Sequence, residues 1–329
     1  MEFGVYLPTY AWPDLAFDQV TRIRDFAQRA EGLGFDALWV SEHFVVAGHY
    51  GTAWMSPLLC LTYAASVTTR IRLGTGVLVL PYYHPLTLAR QIQTLSSLSQ
   101  GRFVLGVAPG WDRYEFESLG LRLAERGART DEILAALRRL LTESDVTFDG
   151  RFYRFAHATI MPRPPRFPEL WVAGGSKLES RSSSDKPYMA TPVLERIATA
   201  DGWLARGDAS PEMVTQDLHT IRAYLERKGR DPDTLRYGHY NCLHLVDTND
   251  HGEAVRQQRQ PFARVMGTHR SFEDLQRSYL FGTTAEILER IADLERTGFQ
   301  YFVLMTLEDD LDQLERFAGE IMPRFRSRG

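Results

Sequence analysis

Three short stretches place chemically able groups where an apolar run gives way to a loop. The first, Trp39-Val40-Ser41-Glu42-His43-Phe44, ends in a carboxylate and an imidazole. An imidazole exchanges protons near neutral pH, so His43 is the candidate for proton transfer. Glu42 would orient it, hold a substrate, or stand as a solvated carboxylate. One histidine is no motif, and a satisfied histidine at a strand end is the competing reading. The second stretch, Gly74-Thr75-Gly76-Val77, sets glycines inside a strand-like run. Glycine there marks a bulge or a close backbone approach, so a flat ring could lie on Gly76, with Thr75 bonding the ring or capping the bulge. The third, Ala173-Gly174-Gly175-Ser176-Lys177, offers backbone N–H groups, a hydroxyl and an ammonium to a phosphate. A plain turn is equally compatible with it. Each stretch suits a different part of one cofactor.

Other chemistries lack their parts. The nine histidines form no HExxH pair and no Cys/His cluster with ligand spacing, so no metal is expected. A GxSxG elbow and a P-loop are also missing, which leaves hydrolase and kinase readings without a nucleophile or a phosphate grip.

The elements that must position these groups alternate along the chain. Strand-like runs occur at Phe3–Leu7, Ala37–Ser41, Ile71–Leu78, Phe103–Val107, Leu170–Ala173, Gly202–Ala205, Tyr237–Val246 and Tyr301–Met305, with helix-period segments between them. Eight such units predict one (β/α)8 barrel over residues 1–329, in which the three stretches sit at the C-terminal strand ends where barrels carry their sites. A stripe from Phe17 to Leu33 predicts a helix stopped by Gly34; Ser210-Pro211 and Thr283/Glu286 read as helix starts, and a closing helix runs from about Leu311 to Phe325. Two connections exceed ordinary loop lengths and read as insertions after strands 4 and 7. Trp111–Pro168 contains a helix around Thr130–Leu141 and a hairpin at Phe148–Phe152, and Asp247–Gly282 contains a helix rich in aromatic and long polar residues. A pocket lid, an ordinary excursion and a dimer contact all fit the second.

Composition narrows the partners. The 38 basic and 42 acidic residues nearly cancel, which disfavours nucleic acid and anionic membranes as ligands. Cys60 and Cys242 have neither CxxC spacing nor disulfide-scaffold density, and the chain opens directly on a strand, so the expected location is cytoplasmic. No apolar run reaches the roughly 18 residues of a spanning helix.

Taken in order, several segments together resemble the luciferase-like monooxygenase family of flavin- and deazaflavin-dependent oxidoreductases. They are Leu38–Phe44, Ile71–Val77 with Pro81 and His84-Pro85, Gly101–Val107 with Gly110-Trp111, Arg126–Glu132, Trp171–Gly175, Asp201–Trp203 and Gly282–Glu286. The resemblance covers nearly the whole chain. It implies FMN, or the deazaflavin coenzyme F420, lying across the strand ends with its ring near Thr75, Gly76, Val77 and Ala108 and its phosphate by Gly174, Gly175, Ser176 and Lys177. It also implies a cis peptide between Gly76 and Val77, His43 near the reactive ring face, and a homodimer. Three departures stand out: Ala108-Pro109 replaces glycine before Gly110, a Ser-rich insertion occupies 178–192, and Trp111 stands where some deazaflavin enzymes carry an acid. The leading expectation is a monooxygenase using reduced FMN from a separate flavin reductase, with O2 and a small organic substrate walled by Phe44, Trp54, Trp111 and Tyr114. F420-dependent hydride transfer and a non-catalytic flavin-binding relative are the alternatives.

Overall fold

The computed structural model describes residues 1–11, 19–44, 53–164, 166–176, 188–266, 270–307 and 311–326. Eight parallel strands form a closed ring: β1 (Glu2–Tyr6), β2 (Ala37–Val40), β3 (Arg72–Thr75), β4 (Phe103–Ala108), β5 (Glu169–Ala173), β6 (Gly202–Ala205), β7 (Arg236–Leu243) and β8 (Tyr301–Thr306). Each pairs with its neighbour in sequence, and β8 returns to β1 with Tyr301 opposite Glu2. The (β/α)8 reading therefore holds, with strand ends moved by a few residues. β3 stops at Thr75; after a cis Gly76–Val77 peptide, Leu78–Val79 pairs separately with the end of β4.

The barrel is filled by large aromatics against glycines. Trp39, Trp171, Tyr301 and Tyr6 share one buried cluster inside the ring. A Cβ at Gly4 or Gly74 would come within 2.4 or 2.6 Å of the Trp39 side chain, and one at Gly202 or Gly238 within 2.4 or 2.6 Å of Trp171. The strand glycines thus make the space the indoles occupy, which is why runs otherwise rich in β-formers carry them.

Helices α1 (Gln19–Leu33), α2 (Pro57–Val67), α3 (Pro85–Leu98), α5 (Arg126–Thr142), α6 (Thr191–Ile197), α7 (Pro211–Arg227), α10 (Thr284–Thr297) and α11 (Leu311–Arg316) connect or flank the strands. Gly34 follows α1 with φ +86°, Ser210 caps α7 through Met213 N, and Thr283 with Glu286 completes a capping box on α10. The closing segment differs from one continuous helix: α11 gives way to a wider turn at Phe317–Ile321 before Pro323, whose missing N–H cannot continue the α ladder. Phe17 lies outside the described residues, as do 178–187 of the Ser-rich insertion; α6 begins within the rest of it.

The first excursion holds α4 (Arg113–Ser118), α5 starting earlier than its expected Thr130, and the hairpin Val146–Asp149 with Arg154–Ala158. The second holds α8 (His251–Met266) and α9 (Phe272–Ser278); Phe262, Val265 and Leu275 of these helices, with Tyr279 and Phe281 just after them, form a buried cluster with Cys242 of β7. Among the described residues no helix is long and apolar enough to cross a membrane.

Candidate active site

The C-terminal strand ends surround a cavity of about 1470 Å³. β2 delivers Glu42 and His43 to it. Glu42 is buried, and its carboxylate accepts hydrogen bonds from Val79 N at 2.6 Å and from the Tyr83 hydroxyl, so it clamps the segment following the cis peptide. Burial pushes its carboxyl up to about 7; the bonds from Tyr83 and Val79 pull downward, and the nearby Glu115 charge adds to the rise.

His43 meets a partner that sequence reading missed. Its Nδ1 lies 3.3 Å from Oε1 of Glu115, a buried residue of α4, and its ring packs 4.5 Å from that of Trp54 and 6.2 Å from that of Trp111. Glu115 also accepts from Phe44 N at 2.6 Å and from the Tyr82 hydroxyl at 2.7 Å. Asp112 caps α4 through Tyr114 N, which fixes the turn that presents Glu115. One carboxylate therefore ties β2, the segment after β3 and the first excursion together. The available sequence signal was an acidic residue beside Phe116 on a short helix. Its partner is 72 residues away.

Gly76, Val77 and Ala108 line the cavity, with Tyr6, Tyr240, Cys242 and Met305 deeper in the barrel mouth. The Tyr6 hydroxyl donates to Gly76 O at 2.5 Å. Thr75 is fully buried; its hydroxyl donates to Gly106 O at 2.7 Å and accepts from Gly106 N at 2.9 Å. Its hydroxyl is therefore engaged in joining β3 to β4, and Thr75 is not among the lining residues.

At the end of β5, Gly174 and Gly175 face the cavity, but Ser176 is engaged elsewhere. Its N and hydroxyl donate to the two carboxylate oxygens of Asp217 on α7, at 2.8 and 2.5 Å. Burial raises the Asp217 carboxyl while the two Ser176 bonds and Arg206 oppose that rise. Lys177 lies outside the described residues. Of the four expected wall residues, Trp54 and Trp111 line the cavity, whereas Phe44 and Tyr114 are at least half exposed and do not. No metal-holding group of His, Cys, Asp or Glu occurs among the described residues.

Gly76 lines the cavity, and its missing side chain makes room for the barrel aromatics, since a Cβ there would come within 2.8 Å of the Tyr6 hydroxyl and 3.1 Å of Trp39. The phosphate end fits less simply, since the donors of Ser176 are already bonded to a carboxylate. An imidazole backed by a buried carboxylate can exchange a proton with a ligand in the cavity that His43 lines.

The chain matches the luciferase-like monooxygenase family over residues 1–301. It is 29% identical to an F420-dependent glucose-6-phosphate dehydrogenase of Intrasporangium calvum, across 92% of this chain and 94% of the relative. It is 28% identical to the 4-hydroxyprotoasukamycin monooxygenase of Streptomyces nodosus subsp. asukaensis, across 99% and 92%. Its fold superposes on the monooxygenase RslO1 of Streptomyces bottropensis with a TM-score of 0.81 at 27% identity, covering 99% of this chain and 100% of the other. The chain is therefore a member of the luciferase-like monooxygenase family, an enzyme of its flavin- or F420-dependent oxidoreductases.

Proposed function

We propose that this enzyme carries out hydride transfer between a carbinol or carbonyl carbon and coenzyme F420, acting as one barrel unit. The observation that supports this reading is the His43–Glu115 pair. Oxidising an alcohol releases a hydride from carbon and a proton from oxygen, and the proton needs a base beside the reacting carbon. When bound, a deazaflavin supplies the two-electron hydride acceptor. His43 takes the hydroxyl proton through Nε2, since Nδ1 faces the carboxylate. Glu115 orients the ring and stabilises the imidazolium that forms. Glu42 holds the Val77–Tyr83 segment that shapes the ring seat.

Monooxygenation with reduced FMN is the second reading. The two indoles packed on His43 and the full-length similarity to monooxygenases favour it. In that reaction His43 would return the proton to the departing oxygen, and a separate reductase would supply the reduced cofactor. The two buried free thiols, Cys60 and Cys242, support a reducing, cytoplasmic setting for either.

Fluorescence titrations with F420, FMN and reduced FMN, followed by turnover with and without O2, separate the readings. Tight F420 binding and oxygen-independent reduction of F420 by an alcohol are expected. His43→Ala should lower that rate by roughly 10²–10⁴-fold with F420 affinity retained, and Glu115→Gln should lower it less. Oxygen uptake with reduced FMN alone would establish the second reading, and unchanged turnover in His43→Ala would remove the proton role.

A further inference from the structure

Two adjacent tyrosines leave the short turn Leu80–Tyr82 toward different carboxylates. The Tyr83 hydroxyl donates to Glu42, whereas the Tyr82 hydroxyl donates to Oε2 of Glu115 at 2.7 Å. Pro81 and the bond from Tyr83 N to Leu80 O, at 3.0 Å, hold the turn. The Tyr82 ring lies edge-on to Phe116 at 5.2 Å, with the ring of Phe44 6.1 Å away, so the phenol has a fixed place beside the carboxylate. On its other oxygen Glu115 accepts from Phe44 N at 2.6 Å and meets His43 Nδ1 at 3.3 Å.

Glu115 is buried, so its charge depends on the donors around it. Burial first, then the bond to Glu115 and the charges of Glu115, Glu42 and Asp112, push the Tyr82 phenol far above its ordinary range, so it stays a donor. An ionised carboxylate only accepts, and the imidazole nitrogen bonded to it must therefore carry the hydrogen. That bond in turn decides which nitrogen of the ring is basic. We infer that Tyr82 is a positioning residue: it holds Glu115 ionised and turned with Oε1 toward His43, and thereby fixes the imidazole as the Nδ1–H tautomer with Nε2 as the basic nitrogen. Tyr82 also lines the cavity, but its hydroxyl is committed to the carboxylate. The use of this tautomer in catalysis rests on the hydride-transfer reading above, in which Nε2 takes the hydroxyl proton.

The tautomer is read from side-chain nitrogen–proton correlation spectra of apoprotein carrying isotope-labelled histidine, at alkaline pH, with the His43 signals assigned by their loss in His43→Ala. The wild type should show the Nδ1–H form. Tyr82→Phe keeps the ring and loses the donor, and should shift His43 toward the Nε2–H form; Tyr83→Phe, which releases Glu42 alone, should leave the pattern in place. An Nε2–H wild type, a Tyr82→Phe spectrum matching the wild type, or equal shifts in both tyrosine variants overturns the assignment. Should Tyr82→Phe fail to fold, Tyr82→Met, equally without a donor, gives the same comparison. Turnover separates this role from the reaction it serves. A shifted tautomer in a protein that reduces no F420 ends the hydride-transfer reading and leaves the positioning role, whereas F420 reduction with an unmoved tautomer ends the positioning role alone. Where F420 is reduced, Tyr82→Phe should lower kcat with KM for the alcohol kept; a change confined to KM would give the phenol to substrate binding and overturn the inference.

Discussion

Glu42 and His43 are neighbours in sequence with divided tasks. The Glu42 carboxyl reaches away from His43 to Val79 and Tyr83, while the imidazole takes its carboxylate partner from α4. The expectation that Glu42 orients His43 is thus met by a different acid. The elevated Glu42 carboxyl also sets a pH dependence. Its ordinary value is 4.5 and its folded value about 7, so the native state holds a proton that the unfolded chain releases sooner. The stability it contributes is complete below about 4.5 and is lost as pH rises through about 7. Denaturant unfolding across that interval should show stability falling with pH, and Glu42→Gln should flatten the slope; identical slopes would place Glu42's titration elsewhere.

At the scale of elements, what could be read in advance was whatever depends on local pattern. The strands, the caps at Ser210 and Thr283, and the glycine-bearing break after Thr75 are all written in neighbouring residues. Glu115 and Asp217 were not legible, because each takes its role from a partner 72 or 41 residues away, brought close only by the packing of successive barrel units. Ser176 shows the same limit: a turn with ideal phosphate donors can spend them on a helix packed behind it. The interior glycines carry a testable load. Gly74→Ala should drive a methyl into Trp39 and destabilise the barrel by roughly 1–3 kcal/mol, as overpacking does, measured by urea unfolding. An unchanged midpoint would mean that the indole can move aside.

At the scale of the whole molecule, α2 carries an uncharged outer face. Its sequence, PLLCLTYAASV, has no charged residue; Leu59 is 71% exposed, with Ser66 exposed and Thr62 and Tyr63 partly so. The homodimer implied by family resemblance, if formed through this face, would bury Leu59. Sedimentation should give a dimer for the wild type and a monomer for Leu59→Arg, and a monomeric wild type would reject the pairing. The aromatic filling of the barrel bears on observation as well as on stability. Trp39 and Trp171 lie 5.6 Å apart at 69°, with Tyr301 against both. Chromophores this close share their excited states, so the closed ring carries its own optical signature in circular dichroism before any ligand is added. Trp54 and Trp111 line the cavity, whereas Trp39 and Trp171 do not, so a coloured ligand bound there would draw emission first from the former pair, and barrel closure and ligand loading would leave separate marks in the same protein's light.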